Sequence, residues 1–171
     1  MKVHFLIGVF LLVLSAAMAA DKSDGGFAIH AGYGTLYGGV GASLEYQIPV
    51  YKFIRLTPYV SAGLADPIYN GYNVSQFGYC TGLNIEFGRL HRLLVGLSFG
   101  SLYADFDADA SGKPYNINTV VGPGLAIGYK GTAKFGLLWQ VYGGICYMMN
   151  DQHVDHNTFA PLFGVGLGYK I

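Results

Sequence analysis

The chain has 171 residues, of which 52% are hydrophobic, 15% are aromatic and only 12% are charged, ten basic against ten acidic. Soluble globular domains usually carry about 25% charged residues, so this chain has too few charges to cover a water-facing surface. Its even charge balance gives no reason to expect a nucleic-acid partner. Beyond the N-terminal segment, no apolar run reaches the length of a membrane-spanning helix. With 26 Gly and 14 Tyr, the composition favours strands that cross a membrane as a barrel.

The first residues have the order of a secretory signal peptide. Lys2 precedes an apolar stretch from Phe5 to Leu14, and Ala17-Met18-Ala19 forms a small-x-small cleavage site. The apolar stretch is short for the alternative, a retained membrane anchor. We therefore expect residues 1–19 to be a cleaved signal peptide and residues 20–171 to form a single barrel domain.

Eight later segments alternate apolar residues with small or polar ones, which is the pattern of a strand with one apolar face. Each has about the ten residues that a tilted strand needs to cross a bilayer. The last segment must pair along both edges or expose an apolar edge, so we expect it to close the barrel against the first and seventh strands. In chain order, the predicted strands are residues 26–34, 40–48, 55–64, 79–87, 92–103, 118–130, 134–147 and 159–171.

Charged side chains within the predicted strands all lie on the face opposite the apolar one. A charge that faces lipid near the midplane costs about 2–4 kcal/mol, so a lipid-facing apolar surface requires this sorting. A secreted lipocalin-like barrel, the alternative, would have its apolar side chains inside. We therefore predict a polar lumen containing Glu45, Arg55, Glu86, Arg92, Lys130, Lys134 and Lys170.

The connections between the predicted strands alternate in length. Tight turns follow the second, fourth and sixth strands, whereas residues 65–78, 104–115 and 149–157 form longer loops that contain several aspartates; only residues 35–39 are short on the loop side. This asymmetry is typical of outer-membrane barrels. Outward aromatic residues predict two interfacial girdles: Tyr46, Phe87, Tyr129, Phe135 and Tyr169 at the turn end, and Tyr33, Tyr79, Tyr103, Tyr147 and Phe159 at the loop end.

Three prolines fall within strands that a closed barrel pairs on both sides: Pro58, Pro123 and Pro161. Proline lacks the N–H donor and belongs at strand starts, at edges or at bulges. Since Pro123 lies in the middle of its strand, we predict a bulge or kink there.

In architecture, the region from Gly26 to Ile171 resembles the small eight-stranded outer-membrane barrels, namely the OmpX-like proteins and the OmpA transmembrane domain. Its last residues, Tyr169-Lys170-Ile171, look like that family's C-terminal assembly signal, with Ile where Phe or Trp is usual. The resemblance implies an all-β, antiparallel, up-and-down barrel in the outer membrane of a diderm bacterium, inserted by the barrel-assembly machinery. We do not expect the peptidoglycan-binding domain of full OmpA proteins after Ile171.

Side chains fill the lumen of a barrel of this size. Because the sixth and eighth strands have mostly Gly and Ala on their inner face, we expect Tyr59, Tyr142, His30 and Gln140 to reach across and fill the space. An internal cavity is the alternative.

Two ion pairs are expected across the tight turns, Glu45 with Arg55 and Glu86 with Arg92. We interpret the lumen charges as a plug that satisfies buried groups, with a gate or a proton-linked switch as the alternative.

Few residues point to chemistry. Asp105, Asp107 and Asp109 place carboxylates at alternate positions, but Ala110 and Asn116 stand where an EF-hand loop needs Gly and Glu. We interpret this run as a solvated acidic loop, with a weak divalent-cation site as the alternative. No cofactor is expected.

The remaining reactive side chains are histidines and two cysteines. His153 and His156 lie in the last loop without the following Ser that lipid A deacylases of this scaffold carry. Cys80 and Cys146 fall on the fourth and seventh strands, across the barrel from each other. Since a disulfide needs a Cα separation below about 7 Å, we expect free thiols, with a disulfide in a flattened barrel as the alternative.

These features favour a non-enzymatic, monomeric outer-membrane barrel that works through its acidic outer loops, in contact with outer-membrane lipid, lipopolysaccharide, ions or a surface partner. The alternatives are a lipid A-modifying barrel enzyme and a binder or transporter of a small apolar ligand.

Overall fold

The computed structural model describes residues 25–65, 68–69, 72–73, 76–108, 114–133, 135–149 and 159–171. They form a closed barrel of eight antiparallel strands, each paired with its neighbours in the chain, which confirms the predicted architecture. Among the described residues, no helix is long and apolar enough to cross a membrane. The predicted signal peptide lies outside the described residues.

The barrel strands are β1 (Gly26–Gly34), β2 (Gly39–Tyr51), β3 (Ile54–Ala65), β4 (Gln76–Gly88), β5 (His91–Ala108), β6 (Pro114–Thr132), β7 (Leu137–Tyr147) and β8 (Phe159–Lys170). A 3-10 helix, Thr35–Tyr37, joins β1 to β2, and Ile68–Tyr69 pairs with Tyr72–Asn73 in a small separate sheet. Tight turns follow β2, β4 and β6, as predicted. We call this the turn end of the barrel and the opposite end the loop end.

β8 closes the barrel because it pairs along both edges. Against β1, the register runs from Ala28–Lys170 to Gly34–Gly164. Against β7, it is continuous over almost the whole strand. The predicted pairing of the last strand with the first and seventh is therefore confirmed.

Burial alternates residue by residue along the strands. In β1, Phe27, Ile29 and Tyr33 are exposed, whereas Ala28 and His30 are completely buried. The same alternation gives every strand an apolar outer face and places the buried polar and charged side chains on the inner face. The distribution is inverted relative to a soluble barrel, as the sequence predicts.

Several predicted boundaries are wrong. β4 begins at Gln76 rather than at residue 79, β7 begins at Leu137 rather than at residue 134, and β2 extends to Tyr51 rather than to residue 48.

β5 continues to Ala108 and β6 begins at Pro114, so the predicted loop of residues 104–115 is mostly strand. Alternating aspartates in this stretch have the strand period of two, and two register shifts in β5 let the hairpin continue. The sequence pattern also places Ile48 on the outer face, but this residue is buried, next to a bulge between Pro49 and Tyr51.

The prolines are accommodated by gaps in the ladders. The predicted bulge at Pro123 is wrong, because Pro123 pairs in register with Phe99 and the pairs between β6 and β7 begin only at Gly124. Pro161 likewise lies beyond the last pair between β1 and β8. Pro58 falls where the β2–β3 pairing is interrupted. Each proline therefore has one side on which no ladder pair is needed.

Closure can be tested by cross-linking Ala31→Cys with Leu167→Cys, with Cys80 and Cys146 replaced by Ala. These residues are opposite each other on β1 and β8, and opposite Cα atoms in antiparallel strands lie about 4.5–5.5 Å apart, within disulfide range. We expect near-complete oxidation, read as a change in gel migration of the denatured protein without reductant.

The matched control combines Ala31→Cys with Val165→Cys, a diagonal pair whose Cα atoms lie about 7–8 Å apart. It should remain largely reduced under the same oxidant. Equal cross-linking of the two pairs, or none in the first, would contradict the register.

Candidate functional site

A cluster of charged side chains lies inside the barrel. Glu45 of β2, Glu86 of β4, Arg92 of β5 and Lys130 of β6 are all buried. Lys130 Nζ donates hydrogen bonds to the two oxygens of Glu45 at 2.8 and 2.7 Å, and to Glu86 Oε1 at 2.6 Å. Arg92 Nη1 donates to the other Glu86 oxygen at 2.5 Å. These four side chains, which we call the lumen ion cluster, join four strands through the barrel interior.

Two further side chains of the inner face surround Glu45. His30 Nε2 of β1 lies 3.1 Å from Glu45 Oε1, and Gln47 Nε2 donates to the same oxygen at 3.0 Å. The two carboxylates of the lumen ion cluster face the cations of Lys130 and Arg92, so their formal charges cancel. Paired charges with their hydrogen-bonding atoms satisfied are the form in which ionised groups tolerate burial.

The structure gives Glu45 a different partner from the predicted Arg55. Because β2 passes through the bulge after Pro49, Arg55 lies opposite Pro49, nearer the turn. Its Nη1 donates to the carbonyl oxygen of Arg89 at 3.2 Å. Glu45 instead reaches across the lumen to Lys130.

The other predicted lumen charges have separate outcomes. Glu86 and Arg92 form the ion pair that the sequence predicts across the β4–β5 turn. Lys170 is half-buried at the end of β8, and Lys134 lies outside the described residues.

A layer of aromatic and apolar side chains fills the lumen beside the lumen ion cluster. Tyr37 is buried, its hydroxyl accepts a hydrogen bond from Gln140 Nε2 at 2.6 Å, and its ring stacks on that of Tyr142 with centroids 6.4 Å apart. Leu36 is buried with it, and its carbonyl accepts a hydrogen bond from Ser61. The 3-10 helix between β1 and β2 therefore folds into the barrel.

Three inward glycines of β8 make room for these rings. A Cβ added at any of them would overlap a buried ring, in the pairs Gly164 with Tyr142, Gly166 with Tyr37, and Gly168 with His30. The small residues of β8 and the large residues of its neighbours are therefore complementary in shape.

The cavity beside the lumen ion cluster is small. A cavity of about 10 Å³, lined by Tyr37, Tyr59, Gln140 and the lumen ion cluster residue Glu45 among others, has room for about one water molecule. The predicted filling by Tyr59, Tyr142, His30 and Gln140 is confirmed, since all are buried. The sequence analysis missed Leu36 and Tyr37.

A sequence signal for the inward turn exists. Leu36 and Tyr37 lie between Gly34 and Gly38, whose φ angles of 128° and 68° other residues rarely adopt. Two large apolar residues in so short a connection, flanked by glycines that permit tight turns, indicate that the connection can fold back into the barrel.

The other reactive groups named in the sequence analysis lie outside the lumen ion cluster or outside the described residues. Cys80 and Cys146 are buried free thiols in the apolar part of the lumen, as predicted. Asp105 and Asp107 belong to β5 rather than to a loop, and nothing is described of their side chains; Asp109 lies outside the described residues, as do His153 and His156.

Comparison with solved structures shows the fold. The N-terminal β-barrel domain of Pseudomonas aeruginosa OprF aligns with a TM-score of 0.53 and 14% identity, over 86% of this chain and 98% of that one. A major outer membrane protein from Thermus thermophilus gives a TM-score of 0.48 and 14% identity, over 86% of this chain and 99% of that one. The chain has the fold of the small eight-stranded outer-membrane barrels.

Comparison of the amino-acid sequence with known proteins gives a relative that is not an outer-membrane barrel. No protein-family model matches the chain. An iron superoxide dismutase of Sulfolobus acidocaldarius is 30% identical over 122 residues, which are 68% of this chain and 53% of the dismutase, so the chain spans about half the length of this relative. In the described part of the chain, no group of three or more His, Cys, Asp or Glu side chains could hold a metal ion. Those residues therefore do not fit the iron in the relative's name.

Removal of the central cation tests the lumen ion cluster. Lys130→Met leaves Arg92 as the one cation of the lumen ion cluster, against the two carboxylates of Glu45 and Glu86. We therefore expect the free energy of unfolding to fall by about 3–5 kcal/mol, measured by guanidinium titration in detergent micelles. Adding Glu45→Gln should recover part of the loss because it removes the uncompensated carboxylate.

Lys52→Met is the matched control, since Lys52 is exposed in the turn between β2 and β3 and the change removes the same charge. It should cost less than about 1 kcal/mol. A loss from Lys130→Met no larger than this would contradict the assigned role.

Gly166→Ala tests the fit of β8. The new Cβ meets the Tyr37 hydroxyl, and overpacking of this kind costs about 1–3 kcal/mol. The penalty should shrink in a Tyr37→Phe background, with a coupling energy of about 0.5 kcal/mol or more in the double-mutant cycle. Gly143→Ala, where the Cβ would meet only the Leu162 carbonyl at 3.8 Å, should change stability by less than about 0.5 kcal/mol. Equal penalties at the two glycines would refute the fit.

Proposed function

We propose that the protein is an integral barrel of a bacterial outer membrane whose lumen is sealed and whose role is structural or interactive rather than catalytic. Its turn end would face the periplasm, and its loops would lie at the cell surface. It would act as a monomer, surrounded by outer-membrane lipid and lipopolysaccharide.

One observation carries this proposal: large apolar side chains cover the outside, and buried charges lie inside. Leu97 and Leu167 are 63% and 62% exposed, whereas Glu86 and Lys130 are 0% exposed. Lipid stabilises the first group as well as a protein core would, and the barrel wall keeps the second group away from lipid. In water, the same surface would be a continuous apolar patch far larger than soluble monomers expose.

The packed lumen supports a sealed barrel over a transporter or a binder of apolar ligands. Small-molecule sites usually enclose about 300–1,000 Å³, whereas the lumen cavity described above measures about 10 Å³. Tyr37 and Leu36 would have to leave the interior before a ligand could enter.

The observations favour a non-enzymatic role over modification of lipid A. Within the described residues, His30 is enclosed by the lumen, against Glu45 and under the glycine face of β8. An acyl chain in the membrane has the intact barrel wall between it and this histidine. We do not propose dismutase activity, because the described residues do not fit the metal.

The loops and the last strand are the parts of the chain that would contact the proposed partners. Aspartates in the loop sequences give the cell-surface side an acidic character suited to contacts with ions or with a basic surface partner. The barrel-assembly machinery would recognise the segment Tyr169-Lys170-Ile171 of the last strand, since Tyr169 is exposed on the outer face of β8.

Leu97→Lys tests the membrane orientation. This side chain lies outside, midway along β5, so a charge there should lower the free energy of unfolding in phosphatidylcholine vesicles by about 2–4 kcal/mol. Leu90→Lys, in the β4–β5 turn, should cost about 0–1 kcal/mol because the turn lies at the interface. If water covered the outer face, both substitutions would change stability by less than about 0.5 kcal/mol, and that result would overturn the proposed function.

A further inference from the structure

Two buried amide side chains line the small cavity inside the barrel. Asn84 belongs to β4 and Gln140 to β7, which are not neighbours in the sheet. Only 5% of Asn84 and 8% of Gln140 is exposed. The oxygens Asn84 Oδ1 and Gln140 Oε1 are buried and make no hydrogen bond to any described residue. Because buried polar atoms almost always have a partner, both oxygens need a donor from within the cavity.

The surroundings of the two amides leave their oxygens available as acceptors. Gln140 Nε2 donates to the Tyr37 hydroxyl at 2.6 Å, so the nitrogen of this amide is already bonded. Gly96 lies opposite Asn84 on β5, and a Cβ added there would overlap Asn84 Oδ1. The missing side chain of Gly96 therefore makes room for the Asn84 amide.

The size and charge of the cavity restrict what can fill it. A volume of about 10 Å³ admits one molecule of the size of water. Glu45, which also lines the cavity, already accepts hydrogen bonds from Lys130 Nζ on both of its oxygens. Since the charges of the lumen ion cluster cancel, a cation in the cavity would add an uncompensated charge to the interior. The occupant should therefore be neutral and should donate two hydrogen bonds.

We propose that the cavity binds one structural water molecule, which donates one hydrogen bond to Asn84 Oδ1 and the other to Gln140 Oε1. The hydroxyl of Ser43 also lines the cavity and can rotate to donate to the water oxygen. The water would then have three hydrogen bonds, the usual number for a buried water. Leu36 and Leu94 border the site with apolar groups.

This water would connect β4 to β7 across the lumen. The lumen ion cluster joins β2, β4, β5 and β6, so the water would extend the polar connections of the interior to a strand that the cluster does not reach. The site requires only that the barrel be closed and its lumen packed. It therefore does not depend on the proposed membrane location.

A crystal structure of the protein in detergent, at a resolution that shows ordered waters, tests the site directly. We expect one electron-density peak in the cavity, about 2.5–3.0 Å from both Asn84 Oδ1 and Gln140 Oε1. A second crystal, soaked in rubidium chloride in place of sodium chloride, should give no anomalous signal at that position.

Two variants assign the peak to its partners. Asn84→Leu replaces the amide by an apolar side chain of similar size, so the peak should disappear while the hydrogen bond between Gln140 and Tyr37 remains. Ser98→Ala is the matched control, because Ser98 Oγ lies in the lumen but donates to the carbonyl oxygen of Gly124; here the peak should persist. If Asn84→Leu does not fold, the wild-type crystals still decide the proposal.

The other outcomes would overturn this inference. An empty cavity would do so, as would a rubidium signal, which would show a cation in place of water. A peak that persists in Asn84→Leu would remove the assigned partner and overturn the site as proposed. A file of waters running from the cavity to either end of the barrel would overturn both the single-water site and the sealed lumen of the proposed function, whereas Leu97→Lys tests the membrane orientation separately.

Discussion

The barrel interior depends on the placement of one ammonium group between two carboxylates. Lys130 on β6 binds Glu45 and Glu86, which belong to β2 and β4, and Arg92 completes the pairing of Glu86. A closed barrel in lipid has no solvent on its outer side to relieve an unpaired charge, so the charges must be neutralised within the lumen. The lumen ion cluster satisfies this requirement and cross-links strands that are not neighbours in the sheet.

The fit between the small residues of β8 and large side chains of other elements also fills the barrel interior. The inner face of β8 is almost bare, and the rings of Tyr142, Tyr37 and His30 occupy the space that its glycines leave. Tyr37 belongs to the connection between β1 and β2 rather than to a strand, so this packing requires the 3-10 helix to fold inward. With both layers in place, the cavity that they enclose has room for about one water molecule, and the apolar side chains lie on the outer face.

The sequence predicts much of this architecture. The period of two reveals all eight strands, and the parity of charged residues shows which face is inside. In the proposed membrane location, each residue of a strand faces either lipid or the polar lumen, so the alternation can be recognised in the sequence without knowledge of the fold. Boundaries are less accurate: the Asp-rich stretch after Leu102 resembles a loop in composition because acidic residues are common in loops, although its period is that of a strand.

What the sequence alone determined was therefore local: strand number, the orientation of each face, the turn end with its basic residues, and the free thiols. Only the tertiary structure decided the partners. Glu45 and Lys130 are 85 residues apart, and their meeting depends on barrel closure and on the bulge that displaces Arg55 toward the turn. The inward path of Leu36 and Tyr37 likewise depends on the glycines of β8, which belong to the opposite end of the chain. A two-residue period cannot encode such contacts, because it specifies which face a side chain occupies and not which residue it meets across the lumen.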